Sequence, residues 1–496
     1  MQINRIETCP MEKSTLKTKT VSSLFWSFLD KFGQQLIYLA SGIVLMNIVP
    51  PAEYGLIGAL TVFIAFSGLL IDSGFARALL NRKNITEIEY SSVFYFNIAL
   101  SLVLYAILFL ASPFLADIFH EPRIEPVSKV LFLSFVFTAP GLIQHTLLMK
   151  KADFKGLTKV NIAALIIAAS IAIVMAIKGY GVWSLVMQNV VYGFFRTVFL
   201  WIYSKWRPIA RFSIKVLRSF LGLSNKLLLS GLIGAVFNNI YPSIIAFFYP
   251  NSMNQVGYYA QANKYQDIPF SILSNTFRSV SMLILSEINQ QLDRLKRVIS
   301  KMMKSLAFLA FPLGLYMILA AEPAFAFLFG NKWNAAVPYF KVLCLGGMLS
   351  PYPFILNELF IAREKADFFL GVEIVKRIIL VLLIFLFFKQ GIMGLAVSWV
   401  IYMIITLLIS LILSQKLIRY TLLDFLKDVL PYLPTAFASV ALGYVACRAI
   451  QNNFLYLVVS AGIVGGSYWL MCKLLKLEMT KEIGEWFSSK NKKEHE

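Results

Sequence analysis

Long apolar runs alternate with short charged turns along almost the whole chain. A helix needs about 20 apolar residues to cross the hydrocarbon core. Fourteen runs reach that length: 21–48, 55–80, 89–112, 129–149, 158–177, 182–203, 222–248, 256–285, 298–320, 338–360, 368–388, 392–415, 428–448 and 453–472. The pattern therefore predicts an all-α polytopic membrane protein with 14 transmembrane helices. One stretch breaks the rhythm. Ser204 to Leu221 carries Lys205, Arg207, Arg211, Lys215 and Arg218 and no acid, and it is too charged to cross a bilayer. Its pattern suits an amphipathic helix lying on lipid, with Trp206, Ile209, Phe212, Val216 and Phe220 among the acyl chains and the cations among phosphates. An ordinary charged loop is the alternative.

The basic residues orient the spans. With the N-terminus in the cytoplasm, 32 lysines and arginines fall on the cytoplasmic side and 7 on the other. Positive charge is retained inside, so both termini are expected in the cytoplasm. An internal repeat is also legible. Ala111-Ser-Pro113 with Ala116 and Phe119 recurs as Ala321-Glu-Pro323 with Ala326 and Phe329, and Lys151-Ala-Asp-Phe154 recurs as Lys365-Ala-Asp-Phe368. Lys129-Val-Leu131 matches Lys341-Val-Leu343, and Gly179 matches Gly391, at offsets near 212. Pro50 with Tyr54-Gly55 also resembles Pro250 with Gly257-Tyr258. The expected organisation is an N-tail (1–20), an N-lobe of six spans (21–203), the basic bridge (204–221), a C-lobe of six spans (222–415), two added spans (416–472) and a C-tail (473–496). Parallel repeats of this kind place their binding site at the repeat interface.

Composition agrees. Only 15% of the 496 residues are charged and 58% are hydrophobic, with a mean hydropathy of +0.71; a soluble protein carries about 25% charged residues. The net charge of +20 does not point to nucleic acid, because the cations sit in short turns between apolar spans. Cys9, Cys344, Cys447 and Cys472 are far apart, which favours neither a zinc site nor a disulfide framework. The first apolar run is too long for a signal-peptide core, so no cleavage is expected.

A charge inside the hydrocarbon costs a few kcal/mol and faces a partner or a wet cavity. Lys31, Arg196, Lys226, Lys264, Arg278, Lys376 and Arg377 fall there, against Asp30, Asp72, Asp267, Glu358 and Glu373. Span 1 carries Ser23, Ser27, Asp30, Gln34, Tyr38 and Ser41 on one helical face, flanked by Lys31 and Gln35. Span 8 carries Lys264, Asp267, Ser271, Asn275 (or Ser274) and Arg278, and span 7 carries Lys226, Ser230, Asn238 and Tyr241. These three spans are the candidate cavity wall. Lys264 and Asp267 could equally neutralise each other, Glu373 and Arg377 read as a structural pair, Arg196 could snorkel, and His145 reads as a bond between helices. Gly462 and Gly466 read as a packing motif.

No phosphate-binding loop, HExxH or GxSxG is present, and the outward loops are short. Pro50-Pro-Ala-Glu-Tyr54-Gly55-Leu, Asp72-Ser-Gly74-Phe-Ala76, Gly257-Tyr-Tyr-Ala260 and Phe329-Gly330-Asn-Lys-Trp333 resemble, in that order, the polysaccharide transporters of the multidrug/oligosaccharidyl-lipid/polysaccharide flippase superfamily, of the lipopolysaccharide, colanic-acid and teichuronic-acid type. The resemblance implies a flippase of the bacterial inner membrane. It would carry undecaprenyl-pyrophosphate-linked oligosaccharide across by alternating access, and it leaves open a proton or sodium gradient and a complex with polymerase or glycosyltransferases. No cofactor is implied. Arginine and lysine suit phosphate oxygens, so Lys31, Lys264, Arg278, Lys226 and Arg196 are candidates for the diphosphate by position alone. Gln34, Gln35, Tyr38, Asn238, Ser271 and Asn275 would line the cavity, and Asp30, Asp267 and Asp72 would couple an ion. The competing readings are a drug/cation antiporter of the same superfamily, which needs an acidic cavity, and a membrane glycosyltransferase or polymerase, which needs catalytic acids in a large outward loop.

Overall fold

The fold is taken from a computed structural model. It describes residues 13–493 apart from 73–74, 76–78, 81, 83–84, 289 and 363–365, and it describes side chains except also at 13–24, 72, 220–230, 279–280, 282–283, 286, 361–370 and 486–493. Among the described residues, all regular secondary structure is helical. The chain divides into two compact units, residues 1–253 and 254–496.

The first unit holds α1 (Lys13–Ile48), α2 (Pro51–Asp72), α3 (Glu87–Ile118), α4 (Ile124–Leu131), α5 (Leu133–Thr138), α6 (Leu142–Lys150), α7 (Phe154–Ile177), α8 (Val182–Tyr203), α9 (Ile214–Asn238) and α10 (Ile240–Phe248). Helix α7 is central, packed between α1 and α8. It can sit there because Ala164, Ala168, Ala172 and Ala176, each four residues apart, present a buried small-residue face, and small residues are what let helices approach closely in lipid. Thr86 and Glu89 form a capping box that fixes the start of α3.

The second unit holds α11 (Met253–Glu287), α12 (Leu292–Leu319), α13 (Ala321–Leu328), α14 (Val337–Leu349), α15 (Pro351–Ala362), α16 (Ala366–Phe387), α17 (Gly391–Ile418), α18 (Leu422–Val429), α19 (Tyr432–Cys447), α20 (Asn453–Leu474) and α21 (Glu478–Lys493). Helix α12 packs against α14, α18 and α19, and α17 packs against α14, α15 and α16. Gly391 turns the chain from α16 into α17 at φ +81°, a conformation that suits glycine.

Where it is described, each expected span falls on a helix, or on helices joined by short breaks; part of the end of 55–80 lies outside the described residues. Among the described residues, 10 such segments are long and apolar enough to cross a membrane, or 11 with the bent pair α9–α10.

Three local expectations change. The seventh span is not one helix: the chain bends by 48° at Asn239, between α9 and α10. Both pieces lie on α2 in the first unit rather than opening the second. The fourth span is interrupted at Ala139–Gly141, where Pro140 has no N–H to give. The basic bridge is not helical from residue 204 to 213; Pro208 opposes a helix there, and α9 begins only at Ile214. That segment is strapped to the start of α3. Trp206 Nε1 donates to Glu87 (2.6 Å), the Ile209 N–H to Ser91 Oγ (2.9 Å) and the Ser213 N–H to Ser92 Oγ (3.0 Å). Trp206 and Val216 pack on a protein cluster that includes Phe75, Tyr90 and Phe94 rather than on lipid. Arg207 is spent on the carbonyls of Trp201, Ser204 and Trp206 at the end of α8.

Candidate functional site

In the first unit, one side of the α1 stripe closes a polar network inside the helix bundle. Gln34 donates to Asp30 Oδ1 (3.0 Å). The Asn161 amide, on α7, donates to both Asp30 oxygens (3.1 and 3.2 Å). Arg196 Nε, on α8, donates to Asn161 Oδ1 (2.9 Å). Tyr192 donates to Gln34 Oε1 (3.3 Å), and Gln188 to Ser41 (3.3 Å). The Tyr38 and Tyr192 rings meet edge to face at 6.5 Å. An acid and a guanidinium are thus joined through one neutral amide. Arg196 makes no other hydrogen bond or ion pair among the described residues, so its terminal nitrogens keep their donors.

Lys31 is set apart from this network. It is exposed and has no hydrogen-bond or ion-pair partner among the described residues. Gln35 is half-buried and also makes no hydrogen bond there. The side chains of Asp72 and Lys226 lie outside the described residues. Asn238 is exposed at the end of α9. His145 is half-buried and bonds to no other helix among the described residues.

In the second unit, α11 presents Lys264, Asp267, Asn275 and Arg278 along one exposed face, with Ser271 half-buried between them. Lys264 and Asp267 do not pair with each other or with another charge among the described residues. Lys264 Nζ lies 5.9 Å from the Tyr265 ring centroid. Arg278 differs: its Nε reaches Glu358 on α15 at 2.8 Å, and the guanidinium stacks over Phe354 at 5.1 Å. Glu358 is 6% exposed and Arg278 48%, so the pair anchors one side of the guanidinium and leaves the other open.

A second polar cluster is buried among α15, α16 and α17. Lys376 Nζ contacts Glu373 Oε1 (3.1 Å), Asn357 Oδ1 (3.3 Å) and Ser410 Oγ (3.3 Å). Arg377 takes the other Glu373 oxygen (3.3 Å) and Tyr402 (3.2 Å). The expected Glu373–Arg377 pair is present. The Lys376 cage, like Asn161 and Tyr192, escaped the sequence reading, because neutral amides and hydroxyls on separate helices carry no charge signal. The one available hint was the placement of Asn161 in line with the alanine face of α7.

The recurring motifs have structural work. Glu53 Oε1 holds Arg123 (3.0 Å), and its Oε2 accepts from the Val182 N–H at the start of α8 (3.0 Å). Glu121 also grips Arg123 (2.9 Å), and that guanidinium holds the Glu121 carboxyl below the usual carboxylate range. A Cβ on Gly55 would stand 2.0 Å from the Met253 carbonyl oxygen. Tyr258 meets Trp333 at 5.8 Å and Tyr265 meets Phe329 at 4.8 Å, so two of the motifs pack on each other. Among the described residues, nothing lies within 4 Å of a Cβ added at Gly462 or Gly466, so no described helix packs on that pair. Cys344, Cys447 and Cys472 are free and buried, and no group of metal-ligating side chains occurs among the described residues.

A multi-pass helical bundle with polar and cationic faces on its membrane helices is the architecture of a transporter. The chain belongs to the family described as polysaccharide biosynthesis protein, whose match covers residues 44–338, a family of transporters rather than enzymes. It is similar to the lipopolysaccharide biosynthesis protein WzxC of Escherichia coli (strain K12), 24% identical over 87% of this chain and 89% of that one. It is also similar to the succinoglycan biosynthesis transport protein ExoT of Rhizobium meliloti (strain 1021), 24% identical over 68% of each. Its fold resembles that of the lipid II flippase MurJ in an inward closed conformation, with a TM-score of 0.73 at 15% identity, covering 91% of this chain and 99% of that one.

Proposed function

We propose that the chain flips undecaprenyl-pyrophosphate-linked oligosaccharide units across the bacterial inner membrane for surface polysaccharide synthesis. The full arrangement in this reading is 14 membrane helices, six and six in a parallel repeat plus two, with both termini in the cytoplasm. A complex with polymerase or glycosyltransferases and a proton or sodium gradient belong to the same reading. Asp30, Asp267 and Asp72 are the groups proposed to couple the ion.

One observation carries the assignment. Lys31 and Lys264 lie on exposed faces of α1 and α11 with no carboxylate partner among the described residues. A bare ammonium in a membrane helix costs about 2.5–3.5 kcal/mol on insertion scales, and an anionic cargo offsets that cost. A diphosphate accepts from such donors, and the open sides of Arg278 and Arg196 add planar ones. Lys226 joins them by position. Gln34, Gln35, Tyr38, Asn238, Ser271 and Asn275 supply neutral hydrogen-bonding groups suited to sugar hydroxyls. A drug/cation antiporter would require the opposite balance of charge. A glycosyltransferase or polymerase would require catalytic acids on an outward loop, and the outward loops are short.

The test replaces Lys31 and Lys264 by Ala, singly. Each variant should reach wild-type levels in the membrane, lose surface polysaccharide, and accumulate lipid-linked repeat units on the cytoplasmic leaflet. Normal polysaccharide in both strains would refute the assignment.

A further inference from the structure

The polar cluster around Lys376 is built like a cation site. The Lys376 side chain is 1% exposed. It meets three oxygens of three kinds from three helices: the Glu373 carboxylate on α16, the Asn357 carbonyl on α15 and the Ser410 hydroxyl on α17, at 3.1, 3.3 and 3.3 Å. An ammonium has three N–H groups, and all three are matched. A plain ion pair needs only the carboxylate. Here Ser410 also donates to Asn357 Oδ1 (3.3 Å), so the neutral oxygens are held in place independently of the lysine. Glu373 is fixed from its other side by Arg377, which Tyr402 positions in turn. The oxygens would therefore still converge if the ammonium were removed.

We propose that Glu373, Asn357 and Ser410 form a monovalent-cation site whose resident cation is the chain's own Lys376 ammonium. The tether makes occupancy permanent, so this part of the second unit holds its helices together without drawing an ion from solution. The contact distances suit an ion of ammonium size better than a smaller one. The inference does not depend on what the protein carries.

The experiment uses the full chain in lipid nanodiscs and reads its melting temperature in chloride salts of methylammonium, ammonium, potassium and sodium, with choline as the ionic-strength control. The wild type should melt alike in all of them. Lys376→Ala should melt several degrees lower in choline and recover at least half of that loss in methylammonium or ammonium, with less recovery in potassium and least in sodium. Lys376→Met, which fills the space without charge, should be lowered in every salt and recover in none. Adding Glu373→Gln to Lys376→Ala should abolish recovery. The proposal is overturned if Lys376→Ala is as stable as wild type in choline, if no cation restores it, or if Lys376→Met recovers equally. Should Lys376→Ala not accumulate, Asn357→Leu and Ser410→Val each remove one neutral oxygen while keeping the lysine. Both are expected to lower the melting temperature, and no change in either overturns the proposal.

Discussion

The Asn161 amide gives its nitrogen to Asp30 and its oxygen to Arg196. No ion pair joins the two charges among the described residues, so they are linked through a neutral group. Arg278 is bonded more directly, to a carboxylate that is 6% exposed. Removing the arginine alone leaves Glu358 without its donor, a loss of about 1–3 kcal/mol. Arg278→Ala should therefore reduce the amount of folded protein, whereas Arg278→Ala with Glu358→Gln should restore it. Transport measured in the double variant then reports on the guanidinium rather than on folding. If Arg278→Ala accumulates and melts like wild type, the ion pair contributes nothing measurable.

At the scale of elements, close approach decides which glycines matter. Gly55 on α2 receives the backbone carbonyl of Met253, the last residue of the first unit, and backbone cannot swing aside as a side chain can. Gly55→Ala should cost about 1–3 kcal/mol, the usual range for overpacking, and should lower the melting temperature. Gly462→Ala on α20 meets open space and should be neutral or slightly stabilising, since alanine is the better helix former by about 1 kcal/mol. Equal effects in the two variants would contradict this account. The turn between α3 and α4 offers a pH test. The pKa of Glu121 is lowered in the folded protein by Arg123. Its contribution is therefore present above the ordinary glutamate range and is lost as pH falls through the lowered value. Arg123→Gln should lower stability near neutral pH and flatten its fall with pH below the ordinary glutamate range, because Glu121 then has little pKa shift left to lose. The size of the effect is small, within about 1 kcal/mol for so exposed a pair, and melting curves between neutral and acid pH would detect it.

At the scale of the molecule, the distribution of basic residues makes a topological prediction. With 32 lysines and arginines assigned to one side and 7 to the other, reporters fused at either end should be active only in the cytoplasm. A cysteine placed at His120, in the turn that carries Glu121 and Arg123, should be labelled by an impermeant reagent from outside. Labelling from the cytoplasm would reverse the whole assignment.

The apolar period was enough to establish an all-helical membrane protein and the approximate bounds of its helices, because span length and backbone satisfaction in lipid are properties of local sequence. The polar face of α11 was legible for the same reason: a helix carries its stripe wherever it packs. Other features depended on residues far apart in the chain. Asn161 between Asp30 and Arg196, Arg278 against Glu358, and Lys376 among three oxygens each join separate helices, and hydropathy does not record which helix faces which. The strap at residues 204–213 was decided by Ser91, Ser92 and Glu87 at the start of α3, more than 100 positions earlier. Local chemistry thus determined what each helix is, and tertiary packing decided which of its polar groups are bound inward and which are left open, because a hydrogen bond is satisfied only by the partner that packing brings within reach.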